Sequence, residues 1–313
     1  MSAICFRAMG TQIELRIDGA PSARASSLLS SGRRFIDGFD SALTRFAAGS
    51  ELSRVNADGA ETVGVSWLMG EFIEAALWAA TASGGLVDPT ITPALIRAGY
   101  AESRAGATPA DLMSALEEAP ARRAARPDPT SAWRAIVYDR RTRTLTRPAG
   151  VTLDSGGVGK GLAADLLARS WSTALGPGAD FCIDCGGDIR FGPRGNRWGQ
   201  IGVENPFSDT PLPLAMTGGA VATTSIRNRI WRGEGGAPAH HLIDPRAGLP
   251  AWTGVVAVTA LAPTALVAET IAKIAFLRGE RGATETLAAA DGGVVIFDDC
   301  SAQYVAPELA AAA

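Results

Sequence analysis

The stretch Leu153-Asp154-Ser155-Gly156-Gly157-Val158-Gly159-Lys160-Gly161-Leu162-Ala163-Ala164-Asp165 restricts this chain more than any other. A short apolar run ends in an acid, four glycines follow, and a helical pattern begins. Glycine at such a density lets backbone approach a neighbour or a ligand where a Cβ would block it. Bare N–H groups and the dipole at a helix start favour an anion such as phosphate. The block is not a Walker A loop, because Lys160 is followed by Gly161 rather than Ser or Thr, and the earlier glycine falls on Asp154. Nor is it the dinucleotide G-x-G-x-x-G, since Gly157-Val158-Gly159 leads to Leu162. A phosphate-binding turn and a purely structural strand-to-helix turn both fit this stretch.

Around that block the periodicity changes repeatedly. Thr11–Ile17 alternates polar and apolar and predicts a strand, and 22–45 has helical spacing. A second helix is expected over Trp67–Thr81, closed by Gly84-Gly85, and a third capped at Thr108 with Pro109 at its first position. The stretch 119–130 reads as an exposed loop, and Ala135–Tyr138 with Thr142–Thr146 as a hairpin. A helix follows within 154–175, then short strands at 180–185, 198–203, 219–224 and 254–261. Helices at 264–277 and 281–290 precede a last strand, Val294–Phe297. Helices mixed with many short strands predict an α+β protein, not a regular βαβ series. No repeat or flexible linker divides residues 1–313, so one domain is expected, with 101–150 as its variable helix, loop and hairpin region.

The charge balance, 29 basic against 32 acidic residues, argues against non-specific nucleic-acid binding and a polybasic membrane-surface role. No apolar run reaches the length of a membrane span and no signal peptide is evident at Met1–Arg7, so a cytoplasmic location is expected. Among Cys5, Cys182, Cys185 and Cys300, the lone C-x-x-C lies in a strand-like run, where the thiols serve as small apolar residues. The chain's two histidines, His240 and His241, are neighbours, so on an extended segment they point to opposite faces and do not readily chelate one ion. One of them can act as a base or phosphate ligand. The chain has only two lysines, Lys160 and Lys273.

Taken in order, several blocks resemble the FAD:protein FMN transferase (ApbE) family. They are Met9-Gly10-Thr11, Ser50-Glu51-Leu52-Ser53-Arg54-Val55-Asn56, Asp88-Pro89-Thr90, Asp154–Asp165, Asp184-Cys185-Gly186-Gly187-Asp188-Ile189, His241–Gly248 and Ala262-Pro263-Thr264. The resemblance implies a T-fold-related arrangement of mixed sheets flanked by helices. It further implies binding of FAD with a divalent cation, usually Mg2+, and transfer of FMN to a Ser or Thr of a partner flavoprotein with release of AMP. By the same resemblance Met9, Phe46, Leu86, Val87, Asp88, Asp154, Lys160 and Ile243 contact FAD. His241, as proton acceptor, and Asp244 are the implied catalytic residues, and Gly157 would offer a carbonyl to the metal. No stretch of this chain has the acceptor-like ending that self-flavinylation needs.

The chain departs from the family where it keeps its main metal ligands, an Asp and a Thr four residues later. Those positions are Glu269 and Lys273. A protonated lysine has no lone pair to offer a cation. Glu269 is left as the tentative metal ligand on that helix. Two readings stand: a surface i, i+4 pair worth about 0.2–0.5 kcal/mol, or an ammonium that takes the metal's place on the diphosphate. The second admits an FAD-binding relative without transferase activity. A metal-dependent FAD pyrophosphatase is the remaining alternative. The family's Thr-Ser-Gly segment is altered too, reading Ala222-Thr223-Thr224-Ser225-Ile226.

Overall fold

The computed structural model describes residues 1–176, 178–193, 199–215 and 218–307. Its centre is an eight-stranded sheet whose strands stand in chain order: Ser2–Ala8, Thr11–Asp18, Asp180–Cys185, Ile189–Phe191, Ala220–Ser225, Val255–Ala262, Gly293–Phe297 and Ala302–Val305. Every neighbouring pair is antiparallel. The helices are α1 (Ser22–Leu43), α2 (Glu51–Ala57), α3 (Trp67–Ala82), α4 (Thr92–Arg97), α5 (Leu112–Glu118), α6 (Gly159–Ala174) and α7 (Ala265–Ala288). This is the expected α+β architecture.

Period-two patterning sets the layers. Ile13, Leu15 and Ile17 join Phe181, Ile183 and Cys185 in one core with α1, α3 and α6. On the opposite face Cys182, Phe191, Val221, Val294 and Ile296 pack beneath the hairpin Gln200–Asn205/Ser208–Ala215, through Val203 and Leu214. Cys182 and Cys185 therefore point to opposite faces of one strand, and both are free thiols. Burial pushes the Cys182 thiol up to about 12 and Cys185 further still from ionising. The C-x-x-C is a packing feature.

Several expectations need correction. Ser2–Ala8 is a strand, joined to Thr11–Asp18 by the two-residue turn Met9-Gly10. Both turn residues have positive φ, 51° and 70°, the conformation of a type I′ hairpin. The third predicted helix begins at Leu112, not near Pro109, because Asp111 is its cap and accepts from the Ser114 N–H at 2.9 Å. The loop 119–130 is the exposed loop expected, anchored at two points: the Arg123 N–H donates to the Trp252 carbonyl and the Ala125 N–H to that of Leu277. The two helices expected at 264–277 and 281–290 are present as the two parts of α7, separated as expected, where Gly279 adopts φ 73°. Of the predicted strand 198–203, residue 198 lies outside the described residues, and the strand runs Gln200–Asn205. The hairpin Val137–Asp139/Thr144–Thr146 gains Thr62–Gly64 as a third strand.

The crossing of α6 and α7 fixes the position of the glycine block. A Cβ on Gly161 would lie 2.6 Å from the Ala265 carbonyl oxygen and 2.8 Å from the Leu266 nitrogen, both backbone atoms. Only glycine lets the helices meet this closely. Gly161→Ala is expected to destabilise the fold by about 1–3 kcal/mol, as overpacking does. A lowered urea midpoint checks this, and an unchanged midpoint would mean that the helices part at no cost.

Candidate active site

Each block that stood out in the sequence builds one part of a single cavity. Ser50 caps α2, accepting from the Ser53 N–H at 3.0 Å, and so aims Asn56 at the segment leading into the glycine block. There Asn56 grips Leu153 at both ends of its amide, donating to its carbonyl at 2.8 Å and accepting from its N–H at 2.7 Å. The Asp154 N–H donates to the Pro89 carbonyl at 2.8 Å, which joins the Asp88-Pro89-Thr90 turn to the same block. Asp88 accepts from the Thr90 N–H and hydroxyl at 2.7 Å and from the Ser131 hydroxyl. A Cβ on Gly186 would collide with the Thr11 side chain, so the turn at 184–188 lies directly on the first hairpin. Ala262-Pro263-Thr264 leads into α7, whose first N–H groups donate to the Asp165 carboxylate at 3.0 and 2.9 Å.

The cavity encloses about 310 Å3, within the size range of small-molecule sites. Met9, Phe46, Leu86, Val87, Asp88, Asp154, Gly157, Lys160, His241, Ile243 and Lys273 all line it. Asp244 does not. Its carboxylate Oδ1 accepts from the N–H groups of Arg126, Arg246 and Ala247 at 3.1, 3.0 and 3.3 Å, so it holds the turn behind the wall. Its geometry is that of a positioning residue, not of the expected catalytic one. Glu269 is also absent from the wall, being 1% exposed.

Among the wall residues that escaped the sequence reading are Arg45, Tyr100 and Arg229. Arg45 forms an ion pair with Asp154 (Nε–Oδ2 2.8 Å) and stacks its guanidinium on Phe46 and Tyr100, 4.2 and 4.8 Å from the ring centroids. Tyr100 in turn accepts from Arg229 Nη1 at 2.9 Å through its hydroxyl. Arg45 was findable as the neighbour of Phe46, but Arg229 lies three residues beyond the altered Ala222–Ile226 segment and gave no signal.

The polar floor consists of paired charges. Lys160, at the start of α6, reaches Asp188 at 2.9 Å, and Asp188 is 0% exposed. Lys273 reaches Glu269 Oε1 at 2.9 Å, while Glu269 Oε2 accepts from the Gly161 N–H at 2.9 Å. With Lys273 only 13% exposed, this is not a surface pair. Burial raises the Glu269 carboxyl, and the two lysines pull it back. His241 Nδ1 is buried without a hydrogen-bond partner, and burial, aided by Arg229, holds its imidazole well below the usual range. It is therefore neutral near pH 7, with the Nδ1 lone pair or N–H unengaged. His240 points away, into a nest of Trp252 and Phe276.

The donor set does not fit a divalent cation. Both Glu269 oxygens are engaged, Lys273 brings a positive charge, and the described residues contain no group of three or more His, Cys, Asp or Glu side chains that could hold a metal. An organic diphosphate fits better, because the cations face the cavity and the glycine-rich start of α6 carries no side-chain cap. Apolar and aromatic walls at Phe46, Leu86, Val87, Ile91, Leu95 and Tyr100 suit a flavin or adenine ring.

The sequence model of the ApbE family matches residues 9–297. The FAD:protein FMN transferase of Salmonella typhimurium is 26% identical over 274 residues, covering 84% of this chain and 74% of that protein. The FAD:protein FMN transferase of Treponema pallidum is 29% identical over 149 residues, 42% of this chain but only 39% of that protein. Among solved structures, the ApbE protein of Thermotoga maritima superposes with a TM-score of 0.79 at 20% identity, covering 97% and 96% of the two chains. The flavin transferase ApbE of Vibrio cholerae gives 0.72 at 21%, covering 98% and 97%. At those identities the structural likeness is one of fold.

Proposed function

The chain belongs to the ApbE family, and on that premise we propose that it binds FAD in this cavity and transfers the FMN moiety to a Ser or Thr of a partner flavoprotein, releasing AMP. The observation that carries this reading is the convergence of Asp154, Lys160, His241 and the Phe46–Tyr100 wall on one cavity. Bound FAD supplies the diphosphate whose P–O–P link is exchanged for a P–O bond to the acceptor hydroxyl. Lys160, Lys273 and Arg229 offset the charge that accumulates on phosphorus oxygens during attack. His241, neutral and with Nδ1 unpartnered, is the residue placed to accept the proton that the hydroxyl gives up. Arg45 and Asp154 fix each other and the ring-bearing wall. The turn held by Asp244 keeps His241–Ile243 in register with the cavity.

No helix among the described residues is long and apolar enough to cross a membrane. The test is to incubate the protein with FAD and an acceptor flavoprotein carrying a Ser or Thr target. An FMN adduct by mass spectrometry, with AMP by chromatography, is the expected result. FAD bound with neither product would replace transfer by a flavin-carrier role. AMP without adduct would make the protein an FAD pyrophosphatase.

A further inference from the structure

We propose that Arg229 and Lys273, with Lys160, form a cradle that holds the FAD diphosphate without any divalent cation. The inference rests on the FAD-binding reading above and specifies how that site takes its ligand. Its basis is how charge is arranged across the floor. Lys160, Lys273, Arg229 and His241 all face the cavity. The carboxylates that balance the lysines, Asp188 and Glu269, lie behind them, 0% and 1% exposed. What reaches the cavity is the positive end of each pair.

Arg229 adds a charge that is not offset. Its partner is the neutral Tyr100 hydroxyl at 2.9 Å, and no described carboxylate forms an ion pair with it. Its field is felt by both His241 and Lys160, as that of Lys273 is felt by His241. The four groups therefore surround one volume. At this floor a cation meets like charge, and the lining carboxylates Asp88 and Asp154 are engaged by Thr90, Ser131 and Arg45 while Asp40 accepts from the Met9 N–H; an anion meets a guanidinium and two ammonium groups. The pairs behind the wall make this arrangement permanent, since Glu269 is also anchored by the Gly161 N–H at the α6–α7 crossing.

The test is equilibrium FAD binding to the whole protein, followed by flavin fluorescence, in excess EDTA and in millimolar Mg2+. The expected result is the same affinity, within about twofold, in both conditions. Arg229→Gln, a change at a partly exposed residue, is expected to weaken binding by about tenfold or more, equivalent to about 1.4 kcal/mol. That loss should shrink as salt rises. Binding seen only with Mg2+ would overturn the cradle and leave the FAD-binding reading intact. No binding in either condition would overturn both. Unaltered affinity in Arg229→Gln would remove Arg229 from the cradle. As a check that needs no charged variant, added Mg2+ should leave the protein's melting temperature unmoved while FAD in EDTA raises it. A rise with Mg2+ alone would contradict the cradle.

Discussion

Glu269→Ala should destabilise the protein by about 3 kcal/mol, the scale expected when one partner of a buried ion pair is removed. The carboxylate is 1% exposed and holds two donors, the Lys273 ammonium at 2.9 Å and the Gly161 N–H at 2.9 Å. Its loss strands a charge and an amide at the crossing of α6 and α7. A second variant, Glu269→Leu with Lys273→Met, removes charge from both sides and should recover much of the loss, because well-packed apolar replacements of buried pairs are often neutral. Urea unfolding of the two variants reads the difference directly. If Glu269→Ala costs no more than a few tenths of a kcal/mol, the pair behaves as a helix-surface pair and the packing described here is wrong. Even a stable double variant should bind FAD more weakly, since it lacks one arm of the cradle.

Acid sensitivity centred on His240 is the second large effect. The ring is 0% exposed, meets Trp252 edge-on at 4.6 Å and accepts from the Leu242 N–H at 3.2 Å through Nδ1. Burial pushes its pKa from 6.5 down to about 3. In the unfolded chain the same imidazole binds a proton once the pH falls below about 6.5, so unfolding then takes up a proton that the native state refuses. The contribution is fully present above pH 6.5 and is lost progressively as the pH falls through that window toward 3. By pH 4 the loss is about 3 kcal/mol, at about 1.4 kcal/mol per pH unit. His240→Leu should be less stable at neutral pH, through the orphaned Leu242 N–H, yet lose less on acidification. Parallel stability curves for the two proteins between pH 6.5 and 4 would show that His240 is not the titrating group.

What the sequence disclosed and what it concealed divide along a physical line. Thr11–Asp18 was legible because one face is buried and the other is not. Ser2–Ala8 was missed because Ala3-Ile4-Cys5-Phe6 is apolar at successive positions and shows no polar face in sequence, and Ala302–Val305 because three of its four residues are exposed. The break in α7 was legible from Gly279, and its cause is local. The start of α5 was misplaced because Thr108 and Asp111 are both competent caps, and only the Ser114 N–H distinguishes them. Within the site, residues in contiguous turns, such as Asp88, Asp154, Lys160 and His241, were named from sequence and do share a cavity. Arg229 was not, since its importance lies in what the fold brings opposite it. Lys273 was conspicuous, but whether its pair with Glu269 is wet or dry depends on Gly161 admitting α7 against α6, a contact between segments about a hundred residues apart.

The chain-order sheet also governs how the molecule is born. Thr11–Asp18 must pair with Asp180–Cys185 across the whole segment 19–179, which holds α1 through α6. Closing a loop adds only about 0.6 kcal/mol for each doubling of its length, so equilibrium is hardly affected. The rate is, because non-local pairing comes late in a search. On the ribosome this hairpin emerges well before its partner strand and waits with that edge unpaired until residue 185 has left the exit tunnel. During that interval Ile13, Leu15 and Ile17 have no Phe181 or Ile183 beside them. The cavity, one wall of which is the Met9-Gly10 turn of that hairpin, is thus begun long before residues 229–277 arrive to complete it.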